Sequence, residues 1–65
     1  MQGTVKFFSE INGYGFIQPN TPGMPDVFVH ASTLKGVEIN RGDILDFDVV
    51  ETADGRLRAR NVRPI

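Results

Sequence analysis

Asn12-Gly13-Tyr14-Gly15-Phe16-Ile17 and Asp26-Val27-Phe28-Val29-His30 are the two stretches that decide what this chain is. Each alternates a ring-bearing residue with a small or aliphatic one, the period-two pattern of a β-strand with unlike faces. Read as strands, they set Tyr14, Phe16, Phe28 and His30 on one side. Gly15, Ile17, Val27 and Val29 fall on the other. A small protein needs one face for its core, and the aliphatic face is the better fit: burying the rings instead would expose Ile17, Val27 and Val29 together. The remaining face is then a row of rings turned to solvent, which suits a planar ligand such as a nucleobase.

Working outward, Gln2–Ser9 is rich in β-formers and reads as a first strand. Asn12-Gly13 follows as a tight-turn signal, since both central positions of the commonest hairpin turn favour positive φ. The second strand, Tyr14–Gln18, is stopped by Pro19, and Asn20–Pro25 is a turn-rich loop. Val27–His30 is a short third strand. Ala31–Lys35 has room for one helical turn, ended by Gly36. Asp43–Glu51 turns Leu45, Phe47 and Val49 to one side, and Asp54-Gly55 signals another hairpin. In Arg56–Arg63, Arg56, Arg58 and Arg60 alternate with Leu57 and Ala59 until Asn61, where Val62 falls on the arginine side. A bulge or bend there would return Val62 to the interior.

Five short strands with no amphipathic helix predict an all-β domain. At 65 residues the economical form is a single domain, residues 1–65, rolled into a barrel that leaves few exposed edges. The expected core is Val5, Ile17, Val27, Val29, Leu45, Phe47, Val49 and Val62, enough for modest stability.

Composition narrows the function. The absence of cysteine excludes disulfides and thiolate metal sites. No signal peptide and no membrane-length apolar run is evident, so a cytoplasmic protein without membrane contact is expected. One histidine, no cysteine and no motif setting a nucleophile beside a base argue against an enzyme, and no cofactor or metal is expected. The net charge of −1 means that binding of nucleic acid would rest on stacking and a few cations. Five of the six Phe and Tyr residues lie within the first 28 positions, which concentrates the rings where the ring face is built.

Gly3-Thr4-Val5-Lys6-Phe7-Phe8, Gly13-Tyr14-Gly15-Phe16-Ile17, Val27-Phe28-Val29-His30 with Ser32, Gly42, and Ala59 with Asn61-Val62 together resemble the bacterial cold-shock proteins nearly end to end. The resemblance implies a five-stranded antiparallel Greek-key barrel of the OB type. It also implies binding of single-stranded RNA and single-stranded DNA with low sequence specificity, action as an RNA chaperone, and a part in stress responses. Carried over by position, the nucleic-acid-binding residues are Lys6, Phe7, Phe8, Tyr14, Phe16, Phe28 and His30, with Phe8 either at the margin of the platform or at the barrel edge. The chain departs from the family at four places. Phe7 replaces the usual tryptophan, Asn12 a lysine, and Ala31 a frequent phenylalanine, while Ser32–Gly42 is shorter and lacks a loop aromatic. These departures predict a shorter footprint and weaker affinity.

Two further expectations concern charge and assembly. Arg56, Arg58 and Arg60 are expected to pair with Asp46, Asp48 and Glu51 across the strands rather than to track phosphates. With few phosphates neutralised, the salt dependence of binding should be shallow. A monomer is expected, with a strand-exchanged dimer conceivable for so small a barrel. The rival to nucleic-acid binding is a protein-interaction barrel that grips a partner with the same aromatic strip.

Overall fold

The computed structural model describes all residues, 1–65. Its elements are β1 (Gln2–Ser9), β2 (Tyr14–Pro19), β3 (Val27–His30), α1 (Ala31–Leu34), β4 (Ile44–Glu51) and β5 (Leu57–Pro64). The strands close a barrel in the order β1-β2-β3-β5-β4, with β1 also pairing with β4. All ladders are antiparallel except the one between β3 and β5, where Phe28 stands beside Arg58 in a parallel contact. The chain is thus the all-β, OB-type barrel expected.

Both hairpins form, with wider turns than the dipeptide signals suggest. Gly13 has φ 73°, but Asn12 is not left-handed. The Ser9 carbonyl accepts from Gly13 N at 2.8 Å and Ser9 Oγ from Asn12 N at 3.2 Å, which winds the loop as a single helical turn. At Asp54-Gly55 only Gly55 is left-handed. Its N–H donates to Thr52 O at 2.9 Å, while Thr52 N donates to Arg56 O at 2.7 Å. The parity break in β5 is real: Asn61 adopts φ 52° and Val62 is buried. The β4–β5 register shifts between Asp46 and Asp48, opposite this irregularity.

Ten residues make the core: Val5, Ile17, Val27, Val29, Leu34, Ile39, Leu45, Phe47, Ala59 and Val62. Val49, expected inside, is half-buried and packs against this cluster near the end of β4. Leu34, Ile39 and Ala59 are additions. Leu34 comes from a single helical turn and Ile39 from the segment after it, neither long enough to show a period.

Few charges support the barrel. Asp46 accepts from Arg63 Nη2 at 2.9 Å, and chiefly that hydrogen bond holds its carboxyl below the ordinary 3.8. A carboxyl that is more acidic when folded contributes stability above its unfolded pKa, and this is lost as pH falls through the folded value. Acid should therefore lower the thermal midpoint of the native protein below pH ~4, and Asp46→Asn should flatten part of that decline. Parallel melting curves of the two proteins read this directly. A variant with an unchanged acid limb would assign the sensitivity elsewhere, for example to Asp54, whose carboxyl the Thr52 hydroxyl also holds low.

Candidate nucleic-acid interface

The ring face begins with an irregularity in β1. In a regular strand Val5 and Phe7 would share a side, yet the former is buried and the latter is 45 % exposed. The β1–β2 register shifts between them, so that Val5 faces Ile17 while Phe7 faces Phe16. This bulge turns Phe7 outward, where it joins the rings of β2, and turns Phe8 inward. The alternation of the sequence does not disclose it.

From there the rings form a continuous row. Phe7 and Tyr14 lie 6.0 Å apart between centroids, Tyr14 and Phe16 6.1 Å, and Phe16 and Phe28 5.8 Å. Tyr14 stacks near-parallel to Phe28 at 5.9 Å, and Phe28 is followed by His30 at 6.4 Å. Strand pairing causes this: Tyr14 is opposite His30 and Phe16 opposite Phe28 in the β2–β3 ladder. Tyr14, Phe16 and Phe28 are half-buried, so each keeps an accessible surface while its base is gripped. The His30 ring is held by Ser32, whose backbone N–H donates to Nδ1 at 3.1 Å. That contact also caps α1 and leaves Nε2 without a protein partner.

Of the residues expected at the interface, Phe7, Tyr14, Phe16, Phe28 and His30 are brought together. Phe8 is not in the row; its ring packs partly buried against the core and over Gly15. Lys6 is exposed beside the row, its Nζ 3.1 Å from Asp26 Oδ2. Such an exposed pair is worth at most about 1 kcal/mol, so it holds the lysine only weakly.

Gly15 is the joint beneath the row. A Cβ there would collide with the Phe7 carbonyl oxygen and stand 2.8 Å from Phe8 Cδ1 and 2.9 Å from Phe8 Cα. Gly15→Ala would force β1 and β2 apart under Phe7 and Tyr14. A destabilisation of about 1–3 kcal/mol is expected, of the size seen on overpacking. Urea unfolding measures it, and a variant as stable as the native protein would show that the strands yield freely.

Arg56, Arg58 and Arg60 do not behave as expected. Arg58 leaves the acids of β4 and sets its guanidinium 5.8 Å from the centroid of the Phe28 ring. Arg56 pairs with Asp54 at 3.4 Å, in its own hairpin, and Arg60 has no carboxylate partner. The one ion pair between the side chains of β4 and β5 is that of Arg63 with Asp46. Asp48, which faces Arg60 in the ladder, instead accepts from Asn61 Nδ2 at 2.9 Å. The bulge at Asn61 puts an amide where an ion pair was expected.

Arg58 thereby joins the ring face. Together with Tyr14, Phe16, Phe28, Asp26 and Arg56 it lines a groove of about 800 Å³ between the ring row and the β4–β5 hairpin. Rings form its floor, and opposed charges (Asp26 and Asp54 against Arg56 and Arg58) its rim. Planar groups with polar edges fit such a surface.

A family model described as the 'Cold-shock' DNA-binding domain matches residues 1–65. The cold shock protein CspA of Rhizobium meliloti is 42% identical over 65 residues, a match covering 94% of this chain and 93% of that protein. The cold shock-like protein of Aquifex aeolicus is 45% identical, covering 95% of this chain and 90% of its own. Y-box-binding protein 1 of Xenopus laevis is 39% identical over 69 residues, but the match takes in only 22% of that longer protein. No helix of the chain is long and apolar enough to cross a membrane.

Proposed function

Because this chain belongs to the cold-shock domain family and so binds nucleic acid, we propose that it captures unpaired RNA and DNA by stacking successive bases on the row from Phe7 to His30. The supporting observation is the continuity of that row: five rings on three adjacent strands, none more than 6.4 Å from the next. Stacking on aromatic side chains is worth about 1–3 kcal/mol per base and tolerates any sequence, since every base has a π-face. Four or five platforms support micromolar to nanomolar affinity once the cost of ordering the strand is subtracted. Arg58, over Phe28, offers a flat cation to a base seated there.

The mechanism is passive. Bases are available to the rings only when unpaired, so binding draws hairpins toward their open forms by mass action, without nucleotide hydrolysis or covalent chemistry. This is the action of an RNA chaperone, carried out in the cytoplasm by a monomer. Lys6 exchanges Asp26 for backbone phosphate, and Phe8 supports the platform from beneath rather than stacking.

An NMR titration with a short oligothymidylate tests the reading. Shifts should concentrate on Phe7, Tyr14, Phe16, Phe28, His30 and Arg58, with one set of signals, and the same strand annealed to its oligoadenylate complement should compete poorly. A duplex that competes equally, or an absence of shifts, would favour a surface for a protein partner instead.

A further inference from the structure

Taking the ring row as a base platform, we propose that the groove between α1 and β5 is a phosphate subsite for the same strand. It would hold the sugar–phosphate backbone where it runs on past His30. The groove is about 470 Å³, and its lining includes Lys35, Arg60 and Arg63, with the Ser32 and Thr33 side chains beside them. Three cations and no carboxylate line it, in a chain whose net charge is −1. Such a concave, single-sign surface attracts anions even when the whole molecule does not.

Two of the three cations are available. Lys35 and Arg60 have no ion-pair partner, while Arg63 is held by Asp46 at 2.9 Å. Asp48, the carboxylate nearest Arg60 along the ladder, is engaged by Asn61 Nδ2. Along the ring row Lys6 is answered by Asp26 and Arg56 by Asp54, and only Arg58, over Phe28, has no carboxylate. A phosphate along the rings must displace a carboxylate from Lys6 or Arg56, whereas the groove offers Lys35 and Arg60 unpaired, so charge weighs more in the groove and stacking more along the rings.

Continuity joins the two surfaces. β3 and β5 run parallel with Phe28 beside Arg58, so His30 and Arg60 lie one outward step further along their strands. Ser32, hydrogen-bonded to His30, is also part of the groove wall. A strand whose bases cross Phe28 and His30 therefore delivers its next phosphates to Arg60 and Lys35. Lys35 has φ 48°, a left-handed position at the end of α1 that favours glycine. Its side chain makes no hydrogen bond or ion pair within the fold.

Fluorescently labelled oligothymidylates of two lengths, one ending on the ring row and one extending past it, separate these roles. Affinities of the intact native protein, Phe28→Ala and the Lys35→Gln/Arg60→Gln double variant would be compared across salt concentrations. For the longer strand, the double variant should weaken binding on the order of tenfold at ~0.1 M salt and reduce the log–log salt slope by about 1.4. For the shorter strand it should change neither. An unchanged slope for the longer strand, with Phe28→Ala still weakening binding, would overturn the groove proposal alone. If Phe28→Ala binds like the native protein, the ring-row reading fails and the groove proposal fails with it.

Discussion

Phe28→Ala should lower affinity for a single strand roughly 5- to 150-fold, the loss of about 1–3 kcal/mol for one stacked base, and leave the barrel folded. Phe28 is central: it touches Tyr14, Phe16 and His30 and carries the Arg58 guanidinium on its ring. Its loss removes a platform and leaves Arg58 unseated. The ring is half-buried and outside the cluster that forms the core, so the cavity cost of a buried truncation does not apply in full. Fluorescence anisotropy with a labelled oligonucleotide gives the affinity, and circular dichroism melting the fold. A variant that unfolds rather than binding weakly would show that the ring row is structural.

Phe47→Ala should do the opposite. Phe47 is the largest of the fully buried side chains, with 0% exposure, and the only core member with an aromatic ring. Truncating a buried Phe costs about 3–5 kcal/mol. Domains of this size have about 3–10 kcal/mol in all, taking 0.05–0.15 kcal/mol per residue. The variant should be largely unfolded at 37 °C and melt tens of degrees lower, with weaker binding that follows from unfolding. Adding excess oligonucleotide should recover part of the folded signal, because ligand binds only the native state. A Phe47→Ala protein that melts like the native one would mean that the barrel is held by something other than its interior.

How far the amino-acid sequence discloses this molecule depends on which residues are asked. Tyr14, Phe16, Val27, Phe28 and Val29 alternate cleanly, and both the strands and their faces follow from that. Val62 could be placed because an interruption at Asn61 is the simplest way to bring it inside. Phe7 and Phe8 could not be sorted by parity, since a bulge adds one residue to one strand and no residue type announces it. Leu34 and Ile39 sit in segments too short for any period. The arginines illustrate a different limit: opposite charges on adjacent strands suggest pairing, but the partners chosen depend on local twist and on competing groups such as Asn61 and the face of Phe28. Residue pattern disclosed the ring face; it did not disclose that Arg58 belongs to it.

The single parallel pairing of β3 with β5 has a mechanical consequence. Every other junction of the wall is an antiparallel ladder with several residues in register, whereas this one has only Phe28 beside Arg58. It is the seam where the cylinder should unzip first and where amide exchange should be fastest among the strands. The site lies across it, with rings on one lip and a guanidinium on the other. An oligonucleotide seated there would act as a staple, slowing the opening of the structure that carries it.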